Sequence, residues 1–112
     1  MYRQINVCRE QRSLQSILWR VDPLDPLKSY TLNTVTYGTS CAPFLAIRCL
    51  FQIAEENKIS NTFISKVITE DMYVDDVLTG ANSVEGIFDI YKELSEILSQ
   101  GQFELRKWRA RF

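Results

Sequence analysis

The alternation of apolar and polar residues predicts strands near both ends of the chain. Residues 16–20 form a short apolar run, and residues 30–37 alternate and are rich in β-branched and aromatic types. Pro23 and Pro26 lie between these runs, and prolines at that spacing stop both a helix and a β-ladder. We therefore predict a hairpin of the two strands around the proline turn. Residues 103–108 alternate again and predict a closing strand.

Apolar residues at helical spacing predict two longer helices. The first covers 42–56, with Ser40 placed to cap it and Pro43 tolerated in its first turn. The second follows a capping box over Asn82–Glu85 and ends at Gly101, where we expect a left-handed residue. The apolar positions are Phe44, Ile47, Leu50, Phe51 and Ala54 in the first helix, and Val84, Ile87, Phe88, Tyr91, Leu94, Ile97 and Leu98 in the second.

Two adjacent aspartates, Asp75 and Asp76, interrupt an apolar run that is otherwise typical of a strand. Because Asp is depleted in strands, we interpret Tyr73–Asp76 as the tip of a tight hairpin whose arms enter the core. Adjacent carboxylates repel and raise each other's pKa unless a cation neutralises them. Oxygen ligands of this kind suit Mg²⁺, which completes its shell with water and phosphate oxygens. A purely structural turn is the alternative, since Asp side chains also hydrogen-bond turn backbone.

These elements give the order β-β-α-β-β-α-β, with one or two further helical turns possible at 63–68. The order predicts an α+β fold in which helices cover one face of an antiparallel sheet. The opposite face of that sheet would carry the carboxylates. At 112 residues the chain is at most one domain with a modest core.

The composition narrows the classes of function. Its 46% apolar and 24% charged residues are typical of a soluble globular chain. No apolar run approaches the roughly 20 residues that cross a bilayer, and no signal-peptide pattern is seen, so we expect no membrane partner. The absence of histidine excludes His-based triads, His zinc sites and imidazole general bases. Cys8, Cys41 and Cys49 are odd in number and lack metal-ligand spacing, which favours an intracellular, reduced protein.

The net charge of −1 does not by itself indicate a nucleic-acid-binding protein. The basic residues are nevertheless uneven, since residues 106–112 carry four of the thirteen lysines and arginines. They alternate there with Trp108 and Phe112, and basic side chains among aromatics can bind phosphates and stack on bases. A solvated, frayed chain end is the alternative.

Several segments, taken in order, resemble the palm domain of reverse transcriptases. Tyr73-Val74-Asp75-Asp76 is similar to that family's Tyr-x-Asp-Asp hairpin. Gly38-Thr39-Ser40-Cys41-Ala42-Pro43 resembles the Gly-x-x-x-(Ala/Ser)-Pro segment that opens the helix under the template and the nucleotide. The resemblance is strongest to the Bel/Pao group of LTR retrotransposon polyproteins and covers nearly the whole chain. Its blocks are Met1–Ile5, Ile17–Arg20, Thr34–Ser40, Ala42–Leu50, Tyr73–Asp76 and Phe103–Trp108.

The resemblance implies an RNA-directed DNA polymerase that transfers a dNTP to a primer 3′-hydroxyl with two metal ions. Asp75 and Asp76 match the family's metal-binding pair, so Mg²⁺ or Mn²⁺ is the implied cofactor. Asp75 matches the direct ligand of both ions and Asp76 the more peripheral one. Lys107 matches a catalytic residue that protonates the leaving pyrophosphate, and a plain surface lysine is the alternative.

The resemblance also implies a site for the nucleotide and the primer. Tyr73 matches the hairpin tyrosine beside the primer end, and Gly38 matches a glycine whose missing side chain leaves room for nucleotide and template. Ser40 and Pro43 belong to the segment that opens the helix beneath them. Tyr2 matches the aromatic steric gate that clashes with a ribose 2′-hydroxyl; taken alone, it would be an aromatic of the core.

The chain departs from the family's pattern in two places. Ala46 stands where many of these enzymes have an aromatic three residues after Pro43, so the floor of the nucleotide pocket would differ. Counting back from Tyr2 places the family's first catalytic aspartate four residues before Met1. We therefore expect residues 1–112 to be a partial palm domain, without that aspartate, most of the fingers or the thumb.

The implied partners are an RNA or DNA template, a primer–template duplex, dNTP and the remainder of the polyprotein. The implied location is cytoplasmic, in a virus-like particle of the element. Two other hypotheses stay open. One is a catalytically dead retrotransposon remnant or weak nucleic-acid-binding module, and the other is an unrelated α+β interaction domain with a chance Asp-Asp turn.

Overall fold

The computed structural model describes residues 1–111 and confirms the α+β class. Its elements are 3₁₀ helices at Tyr2–Gln4 and Arg9–Gln15, strands β1 (Ser16–Trp19) and β2 (Lys28–Thr31), helices α1 (Ala42–Asn57) and α2 (Thr62–Glu70), strands β3 (Met72–Tyr73) and β4 (Asp76–Val77), and helix α3 (Val84–Gln100). The four strands form two separate antiparallel pairs, β1–β2 and β3–β4. The prediction of one sheet with helices on one face is therefore wrong for the described residues.

The core lies between the three α-helices. The buried face of α1 is largely made of small residues, Ala42, Ala46 and Ala54, which let the neighbouring helices approach closely. Ile64 of α2 and Leu94 of α3 are both fully buried in this contact. Of the large apolar residues predicted on the core face of α1, Leu50 is buried, whereas Phe44, Ile47 and Phe51 are exposed. The helix was predicted correctly, but its buried face is rotated toward the alanines.

Helix α2 covers the one or two helical turns that the sequence suggested at 63–68 and is longer than predicted. The Asn61 side chain caps it by accepting a hydrogen bond from the Ile64 N–H at 3.0 Å. The buried Ser65 hydroxyl donates to the Ala54 carbonyl at 2.7 Å, which ties α2 to α1 without leaving a polar group unpaired. Helix α2 ends at Glu70, two residues before β3, so its packing sets where the following strand pair begins.

The first turn of α1 begins without the predicted cap. Cys41 occupies the cap position, no side chain there accepts a backbone hydrogen bond, and Ser40 lies outside the helix. Pro43 lies in the first turn, as predicted. Because proline has no N–H, the donor that a cap would satisfy at this position is absent.

Both ends of α3 differ by one residue from the prediction. Ser83, within the predicted capping box, is the cap, and its hydroxyl accepts the Gly86 N–H at 3.1 Å. At the other end Gly101 has φ −87°, whereas Gln102 takes the left-handed conformation at φ +64°. Gly101 is needed for space instead, because a Cβ there would collide with Ile53 Cδ1.

The predicted β1–β2 hairpin is present, but its second strand is shorter than expected. Strand β2 ends at Thr31, and residues 33–35 bond instead to residues 5–7. The Val7 N–H donates to the Asn33 carbonyl and the Val35 N–H to the Ile5 carbonyl, each at 2.9 Å. Residues 30–37 are thus shared between two partners, and no single strand spans them.

The predicted closing strand at 103–108 is absent. Its alternation has another cause, because Phe103 is buried and Leu105 packs half-buried on the helical core, while Glu104 and Arg106 are exposed. Farther along, Trp108 packs on Tyr91 of α3. The segment crosses helices rather than pairing with a strand.

The β1–β2 hairpin projects from this core as an arm. Every residue of both strands is exposed, including Leu18 and Trp19. The molecule measures 61 × 28 × 21 Å and its radius of gyration is 18.0 Å. A compact chain of this length has a radius of gyration of about 13 Å, so the arm makes the molecule markedly elongated.

The contact between Gly101 and Ile53 can be tested by substitution. Gly101→Ala is expected to lower the free energy of unfolding by about 1 kcal/mol, because the added Cβ displaces a buried side chain. Urea unfolding followed by circular dichroism measures the change. Gly80→Ala is the matched control, since nothing lies within 4 Å of a Cβ at that position.

A second test removes Cδ1 by Ile53→Val. This substitution should lower the free energy of unfolding by less in the Gly101→Ala background than in the original chain. Equal costs in both backgrounds would contradict the contact.

Candidate functional site

The predicted carboxylate hairpin is present. Strands β3 and β4 pair Met72 with Val77 and Tyr73 with Asp76, which leaves Val74 and Asp75 as a two-residue turn. The sequence predicted both aspartates at the tip of the hairpin, but the structure places only one of them there. Asp75 lies in the turn, and Asp76 is the first residue of β4.

The hairpin is held by its base. Met72 and Val77 face the core and pack half-buried against it. The Leu78 N–H donates to the Asp71 carbonyl at 2.9 Å, which extends the pairing by one bond toward the end of α2. Beyond this base the side chains of Tyr73, Asp75 and Asp76 are exposed. The fold thus presents two adjacent carboxylates on a short, anchored turn.

Val74 adopts an unusual backbone conformation at the tip. Its φ is +56°, in the left-handed region that glycine favours and β-branched residues rarely enter. An L-residue in this region costs about 1–2 kcal/mol, so packing elsewhere must offset the strain. The hairpin register supplies that packing, because it places Met72 and Val77 on the core side.

The donor set of the hairpin fits a hard cation. Asp75 and Asp76 are exposed and consecutive in the sequence, and Mg²⁺ commonly takes one or two protein carboxylates together with water and phosphate oxygens. Within residues 1–111 no group of three His, Cys, Asp or Glu side chains comes together as a metal site. The two aspartates can therefore contribute to a metal site but do not enclose an ion by themselves.

The structure brings Tyr2 to the segment that contains Gly38. The rings of Tyr2 and Tyr37 meet edge to face with centroids 4.7 Å apart, and Tyr2 also packs half-buried on the core. Gly38 has φ +85°, so glycine is favoured there by backbone conformation alone. A Cβ at Gly38 would meet no atom within 4 Å, so the space beside it is open.

Ser40 lies on the exposed turn between Gly38 and α1, and Pro43 is an exposed residue of the first turn of α1. The Thr39 hydroxyl donates to the Thr36 carbonyl at 2.9 Å, and the Ala42 N–H donates to the Thr39 carbonyl at 3.1 Å. These two bonds shape the turn that leads from the Tyr37 side into the helix. The predicted nucleotide-site residues of this segment are thus held together locally.

Lys107 is exposed and has φ +60°, so the backbone turns sharply just before Trp108. The residue immediately before Lys107, Arg106, donates a hydrogen bond to the Glu104 carboxylate at 2.7 Å. This hydrogen bond lowers the pKa of the Glu104 carboxyl below its usual value. Lys107 therefore lies beside an internal ion pair without being part of it.

Phe88 and Tyr91 are further candidates, which the sequence analysis counted only among the apolar positions of the second helix. Both are exposed, whereas Ile90, Leu94, Ile97 and Leu98 form the buried stripe of α3. The signal was available in the sequence, because the apolar residues of α3 cover too wide an arc for one buried face. Phe88 and Tyr91 form a second, exposed stripe, and Trp108 packs on Tyr91.

A shallow groove of about 440 Å³ lies beside the hairpin, between α2 and the residues after β4. Lys66, Glu70 and Asp71 line it on the α2 side, and Leu78 lines the other. Lys66 and Glu70 form an exposed ion pair at 3.7 Å, which contributes little to stability. Sequence reasoning did not single out these residues.

The chain matches no protein-family model, no curated protein and no solved structure. The resemblance to reverse transcriptases therefore depends on the motifs of the sequence alone. Among residues 1–111, the helices lack the combination of length and hydrophobicity needed to cross a membrane.

The strain at the hairpin tip gives a direct prediction. Val74→Gly is expected to raise the free energy of unfolding by about 1 kcal/mol, because glycine adopts positive φ without a Cβ penalty. Val74→Ala keeps a Cβ at the same φ and should give less of this gain. Thermal and urea unfolding of the three proteins measure the difference. If alanine and glycine stabilise equally, the turn does not hold position 74 at positive φ.

Proposed function

We propose that this chain is a palm segment of an RNA-directed DNA polymerase of the Bel/Pao retrotransposon type, acting within a longer polyprotein. The observation that carries the proposal is the anchored hairpin with two exposed adjacent carboxylates, Asp75 and Asp76. Its support in the sequence is the order of the motifs, since a Tyr-x-Asp-Asp tetrapeptide alone is common by chance. The contact between Tyr2 and Tyr37, next to Gly38, agrees with a nucleotide pocket built from these segments.

In this proposal Asp75 and Asp76 hold Mg²⁺ or Mn²⁺ through their carboxylate oxygens. When bound, the ions would lower the pKa of the primer 3′-hydroxyl and neutralise charge on the triphosphate. Tyr73 is exposed beside Asp76, where it can contact the primer end. Lys107 would donate a proton from Nζ to the leaving pyrophosphate.

The nucleotide would lie between Tyr2 and the Gly38 turn. Tyr2 would stack beneath the sugar and exclude a ribose 2′-hydroxyl. The open space beside Gly38 leaves room for the base pair, and Ser40 and Pro43 would lie under the template. The template, primer and dNTP are the proposed partners, together with the rest of the polyprotein.

The decisive variant is Asp75→Asn in a longer polypeptide that includes the flanking polymerase segments. We expect it to abolish template-dependent dNTP incorporation, because an amide cannot supply the negative charge that a metal ligand requires. Primer extension on an RNA template measures the activity, and circular dichroism checks that the fold is retained.

Asp89→Asn is the matched control, since Asp89 is an exposed aspartate of α3 with no role in the proposed site. It should leave incorporation unchanged. Full activity of the Asp75→Asn protein would overturn the proposal, whereas equal loss in both variants would point to a general effect of charge.

Residues 1–112 alone are expected to be inactive in the same assay. Two-metal transfer needs more ligands than the hairpin pair, and within residues 1–111 no third carboxylate joins Asp75 and Asp76 in a metal site. Measurable incorporation by the purified 112-residue chain, lost on Asp75→Asn, would contradict this expectation.

The alternative is a binding module without catalysis, such as a remnant of a retrotransposon. The basic residues that follow Phe103 are the observation that favours it, because phosphate binding needs no metal site. Under this alternative the longer polypeptide binds nucleic acid but does not extend a primer, with or without Asp75.

A further inference from the structure

Three aromatic side chains form an exposed surface along one flank of α3. Phe88, Tyr91 and Trp108 are 65%, 44% and 40% exposed. Phe88 and Tyr91 are three residues apart and so share a helix face. Trp108 meets Tyr91 edge to face, with ring centroids 4.5 Å apart and an interplanar angle of 89°. Aromatic rings left exposed in this way offer flat faces for stacking.

Three unpaired cations lie within three residues of Trp108 in the chain. Lys107, Arg109 and Arg111 are exposed, and within residues 1–111 no carboxylate pairs with any of them. Arg106 differs, because it is paired with Glu104 at 2.7 Å. Residues 106–111 thus carry four of the chain's thirteen lysines and arginines, and three of those four are free of ion pairs among the described residues.

The segment that carries these cations is held against the helical core as far as Trp108. Phe103 is buried and Leu105 packs on the core, which fixes the start of the segment. The positive φ of Lys107 turns the backbone, and Trp108 then contacts Tyr91. Lys107 and Arg109 are therefore the residues directly before and after Trp108, which makes the aromatic contact.

We propose that Phe88, Tyr91, Lys107, Trp108, Arg109 and Arg111 form a binding surface for single-stranded nucleic acid. Its cations would neutralise phosphates while its aromatic rings stack on bases, which is how strand binding without sequence preference is achieved. A lipid surface would also attract the cations, but insertion needs a broad exposed apolar face. The aliphatic stripe of α3, made of Ile90, Leu94, Ile97 and Leu98, is instead buried in the core.

That the natural ligand is a template strand rests on the proposed function. Binding of single-stranded nucleic acid by this surface does not depend on that function. The surface uses none of the hairpin residues and shares only Lys107 with the proposed catalytic site, and none of the variants tested below changes Lys107. Strand binding and polymerisation can therefore be lost independently of each other, and an experiment can distinguish the two losses. Asp75→Asn should leave strand binding by the 112-residue chain unchanged while it removes polymerisation by the longer polypeptide.

The charge contribution is tested by fluorescence anisotropy with labelled oligo(dT) and oligo(rU) of about 15 nucleotides. Titrations at several salt concentrations give the slope of log K against log salt. Substituting Arg109→Gln and Arg111→Gln together should reduce that slope by about 1.4, since each single-strand phosphate contact contributes about 0.7. The matched control is Arg9→Gln with Arg20→Gln, which removes the same charge from two exposed arginines elsewhere. An equal reduction in both proteins, or no binding by the unaltered chain, would overturn the proposal.

The stacking contribution is tested by Trp108 fluorescence in a Trp19→Phe background, which leaves one tryptophan. The oligonucleotide should quench this emission. Trp108→Ala should weaken binding at least about five-fold, and Trp108→Phe should restore most of it, because phenylalanine still stacks. Unquenched emission with unchanged affinity would overturn the stacking role. Binding to vesicles of anionic lipid but not to either oligonucleotide would assign the surface to membranes and overturn the proposal.

Discussion

The close packing of α2 and α3 on the alanine face of α1 is the contact on which the rest of the molecule depends. Small side chains at Ala46 and Ala54 allow the approach, and Leu94 and Leu98 of α3 are buried with them. The Ser65 hydroxyl adds a buried hydrogen bond to the same contact. Because α2 leads directly into β3, this helical packing determines where the carboxylates are presented, although none of its residues belongs to the hairpin.

The helices could be predicted from the sequence because their signals are local. Apolar spacing and the caps around Ser83 and Gly101 place α3 within a residue of its observed ends. Strand pairing depends on distant residues and was harder to predict. Nothing within 30–37 indicates that residues 33–35 bond to residues 5–7. At 103–108 the alternation was real, but it reflected packing on helices and not a neighbouring strand.

The candidate site was predictable as a hairpin but not in its register. Local preference disfavours valine at positive φ, so the sequence places the two aspartates at the tip. The structure instead pairs Tyr73 with Asp76, which keeps Met72 and Val77 against the core. A shift of one residue would turn these side chains away from the core, so burial outweighs the backbone strain at Val74. The exposed stripe of Phe88 and Tyr91 was missed for a related reason, since apolar spacing does not distinguish a buried face from an exposed one.

The projecting β1–β2 arm has a consequence for how the molecule opens. Its strand residues bury almost nothing against the helices, so separating or fraying the arm removes few contacts from the core. Its amide hydrogens are therefore expected to exchange with solvent at a much smaller free-energy cost than those of α1 and α3. The arm and the helical core behave as two cooperative units, and a protease or a pairing strand can reach the arm while the helices, and the hairpin they anchor, remain folded.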